Sequence, residues 1–344
     1  MNLDNIILKG KGIFVFSDPA GANSVLALVD KLIILGHQPK RDFLVFTNSM
    51  KTGFDEYKNI LDISPSNESN FVDVIKSFNP TYIFSGTSLN DFEHLWRKAA
   101  IQENVKVISF IDHWTSYIER FSFNNEIIFG DHILVVNEIA KKEALINGIP
   151  EKVISVFGNP YYEKVKKFKP IVSKKEFYDS LDIDLRKNVI LFISDDIKRS
   201  FPSDNKGNCI LGYDEYTILN ELLISLKTID INLNKFQLIL KLHPKSKINK
   251  FNHLLKDKPQ NLKIIVLKDC DSLSLNYFSD YIIGMFSNMV IESYLMKKKV
   301  LRVQIGQIGQ DLMKFTHTQK SFVIEKKFLN DKLFSLLNNY QKCV

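Results

Sequence analysis

The sequence alternates short apolar runs, rich in Phe and β-branched residues, with longer amphipathic segments. In its first half the apolar runs are Gly12–Phe16, Phe43–Thr47, Tyr82–Ser85, Lys106–Ile111, His132–Val136 and Val153–Val156. The amphipathic segments between them are Ser24–Leu35, Asn70–Phe78, Phe92–Glu103 and Ala140–Asn147. Short runs that are apolar throughout are typical of strands buried on both faces. The alternation therefore predicts a parallel sheet covered by helices on both sides.

A second series of the same kind follows Phe157–Lys175, a segment with Gly158-Asn159-Pro160 and several lysines that we interpret as an interdomain connection. The strands predicted after it are Val189–Ile193, Phe236–Leu242, Leu262–Leu267, Tyr281–Ile283 and Val300–Val303. The helices are Tyr213–Thr228, Ile248–Lys256, Asn288–Met296 and Asn330–Tyr340. The sequence thus predicts an α/β fold with two doubly wound, Rossmann-like domains that face each other across a cleft. Their expected bounds are 1–165 and 166–328, with a C-terminal helix in 329–344.

Composition narrows the class of protein. The 344 residues are 45% hydrophobic and 25% charged, as in an average soluble globular chain. No run reaches the ~18 apolar residues of a spanning helix, and the first apolar run is too interrupted for a signal peptide. The three cysteines, Cys209, Cys270 and Cys343, show no metal-ligand or disulfide spacing. We therefore expect a cytoplasmic protein without a metal or cofactor.

The formal net charge of +7 favours an anionic partner, namely a phosphorylated small molecule, nucleic acid or an anionic membrane surface. No RNA-binding motif, helix-turn-helix or basic stripe with interleaved aromatic residues is visible. Binding of nucleic acid is therefore a remote alternative, which a steep salt dependence of oligonucleotide binding would favour.

Ligands of doubly wound sheets bind beyond the carboxyl ends of the strands, so the strand-to-helix loops are the candidate sites. In the first such loop, Asp18, Gly21 and Asn23 lie among small residues that let a ligand approach the backbone, before a helix that offers N–H groups to an anion. The loop lacks the GxGxxG spacing of a dinucleotide site. The structural alternative is a tight turn in which Asn23 or Ser24 is the helix N-cap.

The loop after Lys106–Ile111 reads Asp112-His113-Trp114. An Asp followed by a His at a strand end can supply a general base, and Trp114 can stack on a sugar ring. The alternative is a buried His, with the Asp capping the following turn.

In the second half, the passage Leu240–Lys245 ends an apolar strand with a His-Pro pair. His243 can donate to a phosphate oxygen, Pro244 fixes the loop that aims the ring, and Lys241 adds positive charge. The alternative is a solvated basic edge, because further lysines follow.

Ser287 and Asn288 stand at another strand-to-helix junction, where hydroxyl and amide donors can bind an anion. Glu292, one turn into that helix, can accept from ribose hydroxyls. The alternative is an N-cap with an acidic residue favoured by the helix dipole.

Two acidic pairs raise the question of a metal. Asp195 and Asp196 are adjacent, so their carboxylates point in different directions. For this loop we therefore favour the interpretation that Ser194 contacts a phosphate. Asp269 and Asp271 have DxD spacing but lack the surrounding pattern. No metal is predicted at either place.

Three passages together resemble glycosyltransferases of the two-domain GT-B type. Asp131–Asn159 is similar to the strand, helix, Gly-Ile-Pro, strand, Gly-Asn-Pro passage that enters the linker of such enzymes. Lys241–Pro244 is similar to the His-Pro motif of bacterial sialyltransferase-like enzymes and teichoic-acid glycerophosphotransferases. Ser279–Val303 resembles their Ser-rich phosphate loop with its following helical glutamate.

The resemblance implies that His243 contacts the donor phosphate beside Ser287 and Asn288, and that Glu292 holds the ribose. It places the catalytic base at Asp112 or His113. The chain departs from these families there, because it carries neither acidic-acidic-Gly nor His-Gly in that loop.

The function expected from the resemblance is metal-independent transfer of a sugar, favouring a CMP-linked acidic sugar, to a glycan or lipid-linked acceptor. The enzyme would then work in the cytoplasm, with peripheral contact to the anionic inner face of a bacterial membrane. Two alternatives stay open, a sugar-nucleotide 2-epimerase of the same architecture and a CDP-glycerol- or CDP-ribitol-type phosphotransferase.

Overall fold

The computed structural model describes residues 8–48, 54–63, 68–315 and 321–338. The chain divides into two compact units, Met1–Lys164 and Val165–Val344, which we call unit 1 and unit 2. Each unit is built on its own parallel sheet with helices. The α/β fold class is thereby confirmed.

Seven parallel strands form the sheet of unit 1 in the described part of the chain. In chain order the strands of this unit are β1 (Gly12–Phe16), β2 (Phe43–Thr47), β3 (Leu61–Ile63), β4 (Tyr82–Ser85), β5 (Lys106–Ile111), the hairpin strands β6 (Ser122–Phe123) and β7 (Glu126–Ile127), β8 (His132–Val135) and β9 (Ile154–Val156). The helices are α1 (Pro19–Ile34), α2 (Glu68–Phe78), α3 (Phe92–Gln102), α4 (Glu138–Ile146) and α5 (Pro160–Lys167), the last of which runs into unit 2.

Six parallel strands form the sheet of unit 2 among the described residues. They are β10 (Asn188–Ile193), β11 (Phe236–Lys241), β12 (Lys263–Leu267), β13 (Tyr281–Gly284), β14 (Lys299–Val303) and β15 (Phe322–Val323). The helices are α6 (Lys174–Asp179), α7 (Ile197–Ser200), α8 (Glu215–Thr228), α9 (Asn252–Leu255), α10 (Ser272–Phe278), α11 (Asn288–Leu295) and α12 (Leu329–Asn338).

The strand order fixes where each sheet can bind a ligand. Unit 1 has the order β3-β2-β1-β4-β5-β8-β9, and unit 2 has the order β12-β11-β10-β13-β14-β15. The direction of winding reverses between β1 and β4 in unit 1 and between β10 and β13 in unit 2. At such a switch point the two neighbouring loops leave in opposite directions and open a crevice at the carboxyl ends of the strands.

Phenylalanine supplies much of the packing that holds β1 in the middle of its sheet. Phe14 is fully buried and meets Phe43 and Tyr82, on the two neighbouring strands, edge to face at centroid distances of 5.8 and 6.0 Å. On α3, Trp96 stacks on Phe46 and Phe71. Each such pair adds about 0.5–1.5 kcal/mol beyond the burial of its area.

Several elements differ from the sequence prediction. Strands β3 and β15 were not predicted, because two- and three-residue strands are too short to show a period. The segment interpreted as a connection, 157–175, contains the helix α5 and the start of α6. A capping box between Ser173 and Glu176 fixes the start of α6. The helix expected at 248–256 is only the single turn α9. Within the described residues, no helix combines the length and the apolar character needed to cross a membrane.

Candidate functional site

A pocket of about 520 Å³ lies at the switch point of unit 1. The residues that line it come from the loops after β1, β4 and β5 and from the turn before β6: Asp18, Ser88, Leu89, Asn90, Asp112, His113 and Arg120. Two carboxylates, a guanidinium, an imidazole and a hydroxyl thus border one concave space. This set can bind a polyhydroxylated or anionic ligand and move protons on it.

Asp112 is buried and lies against Arg120, whose Nη1 is 3.4 Å from Oδ1. Arg120 also donates to the carbonyls of Thr87 and Thr115, so loops after both β4 and β5 hold the guanidinium in place. Burial raises the pKa of Asp112, and the charge of Arg120 acts in the opposite direction. A carboxylate that is partly desolvated beside a fixed cation is suited to general-base chemistry.

His113 also lines the pocket, with Nδ1 3.3 Å from the hydroxyl of Thr115. Burial lowers its pKa to about 4, so the ring is neutral near pH 7. Trp114 is only 3% exposed, and its indole N–H donates to Asn137. The expectation that Trp114 stacks on a sugar is therefore corrected, because the ring belongs to the core.

The loop after β1 is shorter than the sequence suggested. Asp18 is the N-cap of α1, with Oδ1 accepting the N–H of Gly21 at 2.7 Å, and Pro19 takes the first helical position. Neither Asn23 nor Ser24 caps the helix, which starts before them because a proline needs no N–H partner there. Gly21 and Asn23 therefore lie within α1, and of the three residues predicted for this loop Asp18 borders the pocket.

Glu93, which sequence reasoning missed, joins two of the pocket loops from beneath. It stands in the first turn of α3 and is 1% exposed. Its Oε1 accepts the N–H of Ser17 at 2.9 Å, and its Oε2 accepts the hydroxyl of Ser88 at 2.6 Å. The amide of Asn90 donates to the Ser17 hydroxyl at 2.7 Å. In the sequence, Glu93 looks like an ordinary first-turn glutamate, and only its burial reveals this hydrogen-bonded cluster.

In unit 2 the loop after β10 meets the loop after β13. Ser194 is buried and its hydroxyl donates to the carbonyl of Asp195. The Asp195 carboxylate accepts the N–H of Phe286, the residue before Ser287, at 3.2 Å. Burial raises the pKa of Asp195 to about 7. Asp195, for which the sequence analysis predicted no metal-binding role, thus positions the loop that starts α11.

His243 lies half-buried at the end of β11, with Nδ1 4.0 Å from Asp196 and accepting the N–H of Lys245 at 3.2 Å. Burial lowers the pKa of His243, against the pull of Asp196. Lys250 lies behind them, 2.7 Å from Glu215 and 3.5 Å from Asp196. The basic run after β11 is therefore only partly a solvated edge, since Lys250 belongs to a buried charge network.

The other residues of the His-Pro passage have structural partners. The ammonium of Lys241 is buried and donates to the carbonyls of Lys268 and Leu242 at 2.6 and 3.2 Å. Burial lowers its pKa. The expectation that Lys241 adds positive potential at the ligand is corrected, because its charge is turned to backbone oxygens. Pro244 is exposed in the loop that follows.

Ser287 is the N-cap of α11, and its hydroxyl accepts the N–H of Met289 at 3.3 Å. Asn288 is the first helical residue and is half-buried. Glu292 is buried and accepts from the amide of Asn276 at 3.2 Å. The predicted phosphate-binding pair thus stands at a helix N-terminus, whereas Glu292 lies under it in the packing between α10 and α11.

The acidic pairs hold no metal arrangement in the part of the chain that the structure describes. No group of three or more His, Cys, Asp or Glu side chains there could hold an ion. Asp271 instead caps α10, accepting the N–H groups of Leu273 and Ser274.

No protein-family profile matches this chain, and no curated protein matches it. Its fold is nevertheless shared with solved structures. The UDP-GlcNAc 2-epimerase of Methanocaldococcus jannaschii is 15% identical with a TM-score of 0.63, over 95% of this chain and 92% of that one. The Neisseria meningitidis UDP-GlcNAc 2-epimerase bound to UDP-GlcNAc is 16% identical with a TM-score of 0.62, over 96% and 92%. The Anabaena protein HepE in complex with UDP-glucose is 11% identical with a TM-score of 0.60, over 96% and 90%.

These likenesses confirm the GT-B-like fold. They also correct the expected function. The compared proteins are UDP-GlcNAc 2-epimerases and a protein complexed with UDP-glucose, so the prediction of a CMP-sugar glycosyltransferase was wrong. The error has a physical origin. A His after one strand and a Ser-capped helix after another are features that any doubly wound sheet can place at its switch point, and they do not distinguish transfer from epimerisation.

Proposed function

We propose that this chain is a sugar-nucleotide 2-epimerase acting on a UDP-linked N-acetylhexosamine. The fold it shares with UDP-GlcNAc 2-epimerases over nearly its whole length supports the class of substrate. The observation that carries the reaction is the buried carboxylate of Asp112, held beside Arg120 in the pocket of unit 1.

Inversion at C2 requires that the C2–H bond break and form again on the opposite face. When C1 carries a nucleoside diphosphate, a base that removes the C2 proton can expel the diphosphate from C1 and leave a C1=C2 double bond. Return of the diphosphate oxygen to C1 and of a proton to C2 then completes the reaction, with no net gain or loss of atoms. We assign the base to Asp112, with His113 as the alternative within the same loop.

The nucleotide is assigned to unit 2. The N-terminus of α11, with the hydroxyl of Ser287 and the amide of Asn288, offers donors to a diphosphate, and His243 can donate to a phosphate oxygen. Replacement of His243 by Ala should weaken binding of UDP, measured by calorimetry, without changing the fold.

The test of the function is incubation with UDP-GlcNAc in D₂O, followed by proton NMR. The wild type should form the C2 epimer and incorporate deuterium at C2. Asp112→Asn should slow epimerisation by at least about 100-fold, the range of general-base contributions. The control is Asp73→Asn, the same change at an exposed position of α2, which should keep full activity. Absence of both epimerisation and exchange in the wild type would refute the proposal.

A further inference from the structure

Epimerisation at C2 needs proton-transfer groups on both faces of the sugar, and the loop after β5 provides them on only one. The proton must leave one face of the sugar and return to the other, so two proton-transfer groups are needed on different sides of the bound ring. Asp112 and His113 are neighbours on the same loop. A second group should come from another loop of the pocket.

Ser88 meets this requirement. It follows β4 rather than β5, and it lines the same pocket as Asp112. Its hydroxyl lies 2.6 Å from Oε2 of Glu93, a direct hydrogen bond in which either oxygen can carry the proton. A hydroxyl in the pocket is thus connected to a buried carboxyl group behind it.

The surroundings of Glu93 suit it to hold or release a proton. Among the described residues its hydrogen-bond partners are the Ser17 amide and the hydroxyls of Ser17 and Ser88, all of them uncharged. A hydroxyl can donate to the carboxylate or accept from the carboxylic acid, so both states keep partners. Burial raises the pKa of Glu93, and so does the nearby charge of Asp18. Arg97, one turn along α3, is the nearby cation.

We infer that Ser88 is the second proton-transfer residue of the proposed reaction and that Glu93, acting through it, is its positioning and proton-relay partner. This inference rests on the proposed function. Asp112 takes the C2 proton on one face as the C1–O bond breaks. When the diphosphate oxygen forms the C1–O bond again, the Ser88 hydroxyl gives its proton to C2 on the other face, and Glu93 passes its own proton to Ser88. The forward reaction leaves Asp112 protonated and Glu93 ionised, and proton exchange with water resets both groups before the next forward turnover. The reverse reaction runs the same transfers backwards, and no oxidant or reductant is consumed.

The experiment measures exchange at C2 separately for UDP-GlcNAc and for its C2 epimer in D₂O. In Ser88→Ala, one epimer should still lose its proton to Asp112 and take deuterium back from it. Exchange of the other epimer, and net epimerisation, should fall at least about 100-fold. Glu93→Gln should shift the ratio of the two exchange rates in the same direction, and Asp112→Asn in the opposite direction.

Ser77→Ala is the matched control. Ser77 is exposed on α2, its hydroxyl donates to the carbonyl of Val74, and it does not line the pocket, so the same substitution there leaves the proposed donor and its partners intact. It should leave the ratio of the two exchange rates unchanged, and Ser88→Cys, which keeps a proton donor, should restore part of the lost exchange. Equal loss for both epimers in Ser88→Ala, with a wild-type circular dichroism spectrum, would overturn the inference and leave the proposed function standing. A wild type without any exchange would refute the function itself.

Discussion

Replacement of Asp195 by Asn should remove a large pH dependence from the stability of unit 2. The carboxyl group of Asp195 is buried at the end of β10, and its pKa rises from 3.8 to about 7 chiefly because burial disfavours the charge. The N–H of Phe286 donates to Oδ2, and the amide oxygen of Asn can accept the same bond. The substitution therefore keeps the shape and the hydrogen bond and removes only the titration.

The sign follows from the direction of the shift. Between pH 5 and pH 7 the unfolded chain carries an ionised Asp195 and the folded chain a protonated one, so unfolding releases a proton and stability falls as pH rises. Each pH unit in this window removes about 1 kcal/mol, and from pH 5 to pH 8 the loss is about 2–3 kcal/mol. The stabilisation by the protonated Asp195 is fully present at pH values below the pKa of this group in the unfolded chain. It is lost as the pH rises through the pKa of the group in the folded chain.

Urea unfolding followed by far-UV circular dichroism measures this loss. Both tryptophans, Trp96 and Trp114, lie in unit 1, so fluorescence follows that unit while circular dichroism also reports unit 2. With a slope of about 3 kcal/mol/M, the midpoint of Asp195→Asn should match the wild type at pH 5 and exceed it by about 1 M at pH 8. A difference between the two proteins that is the same at both pH values would refute the reasoning, because it would mean that Asp195 does not titrate in this window.

Two further predictions concern the packing of unit 2. A Cβ at Gly212, where φ is +80°, would lie 2.0 Å from the carbonyl oxygen of Gly306, so Gly212→Ala should lower stability by more than about 2 kcal/mol. Gly207 has the same φ with open space around it, and Gly207→Ala should cost only about 1 kcal/mol of backbone strain; equal urea midpoints for the two variants would contradict the clash. Asp311→Ala removes the carboxylate that accepts two hydrogen bonds, each of 2.6 Å, from the fully buried Arg302. The free energy of unfolding in urea should fall by about 2–4 kcal/mol. A fall below about 1 kcal/mol would show that the pair is dispensable.

The architecture could be predicted because each central strand is long and apolar throughout. β1, β5 and β10 were identified with their observed starts or ends to within a residue, since their runs are rich in β-branched and aromatic residues and bounded by turn residues. β3 and β15 were missed because edge strands of two or three residues bury too little to leave a pattern. Tertiary pairing, rather than local sequence, makes them strands.

The candidate site was only partly predictable. Strand ends can be located from sequence, so the loops that contain Asp112 and Ser287 were found. The burial of a side chain within a loop cannot be read in this way. Trp114 and Lys241 were predicted to face a ligand and are turned into the structure, whereas Glu93 and Arg120, which the sequence analysis did not single out, support the pocket. The proline at the start of α1 was a missed signal, because Asp-Pro followed by an apolar period is a helix start.

Acidic residues lie at both ends of the two sheets, and their surroundings differ. Asp131 and Asp280 precede β8 and β13 at the amino ends of the sheets, where each accepts a strand N–H, from Val107 and Val189, and stays at least partly exposed. They complete backbone hydrogen bonds at little electrostatic cost.

Glu93, Asp112 and Asp195 lie instead at the carboxyl ends, beside the switch points, and burial raises the pKa of all three. A neutral amide would fill each place with less desolvation, as the Asp195→Asn prediction makes measurable. Stability alone therefore does not account for carboxyl groups at these positions. The proposed function would account for Glu93 and Asp112, because a carboxyl group whose pKa is raised by burial holds its proton to a higher pH than a solvated one and can then exchange it with a bound ligand.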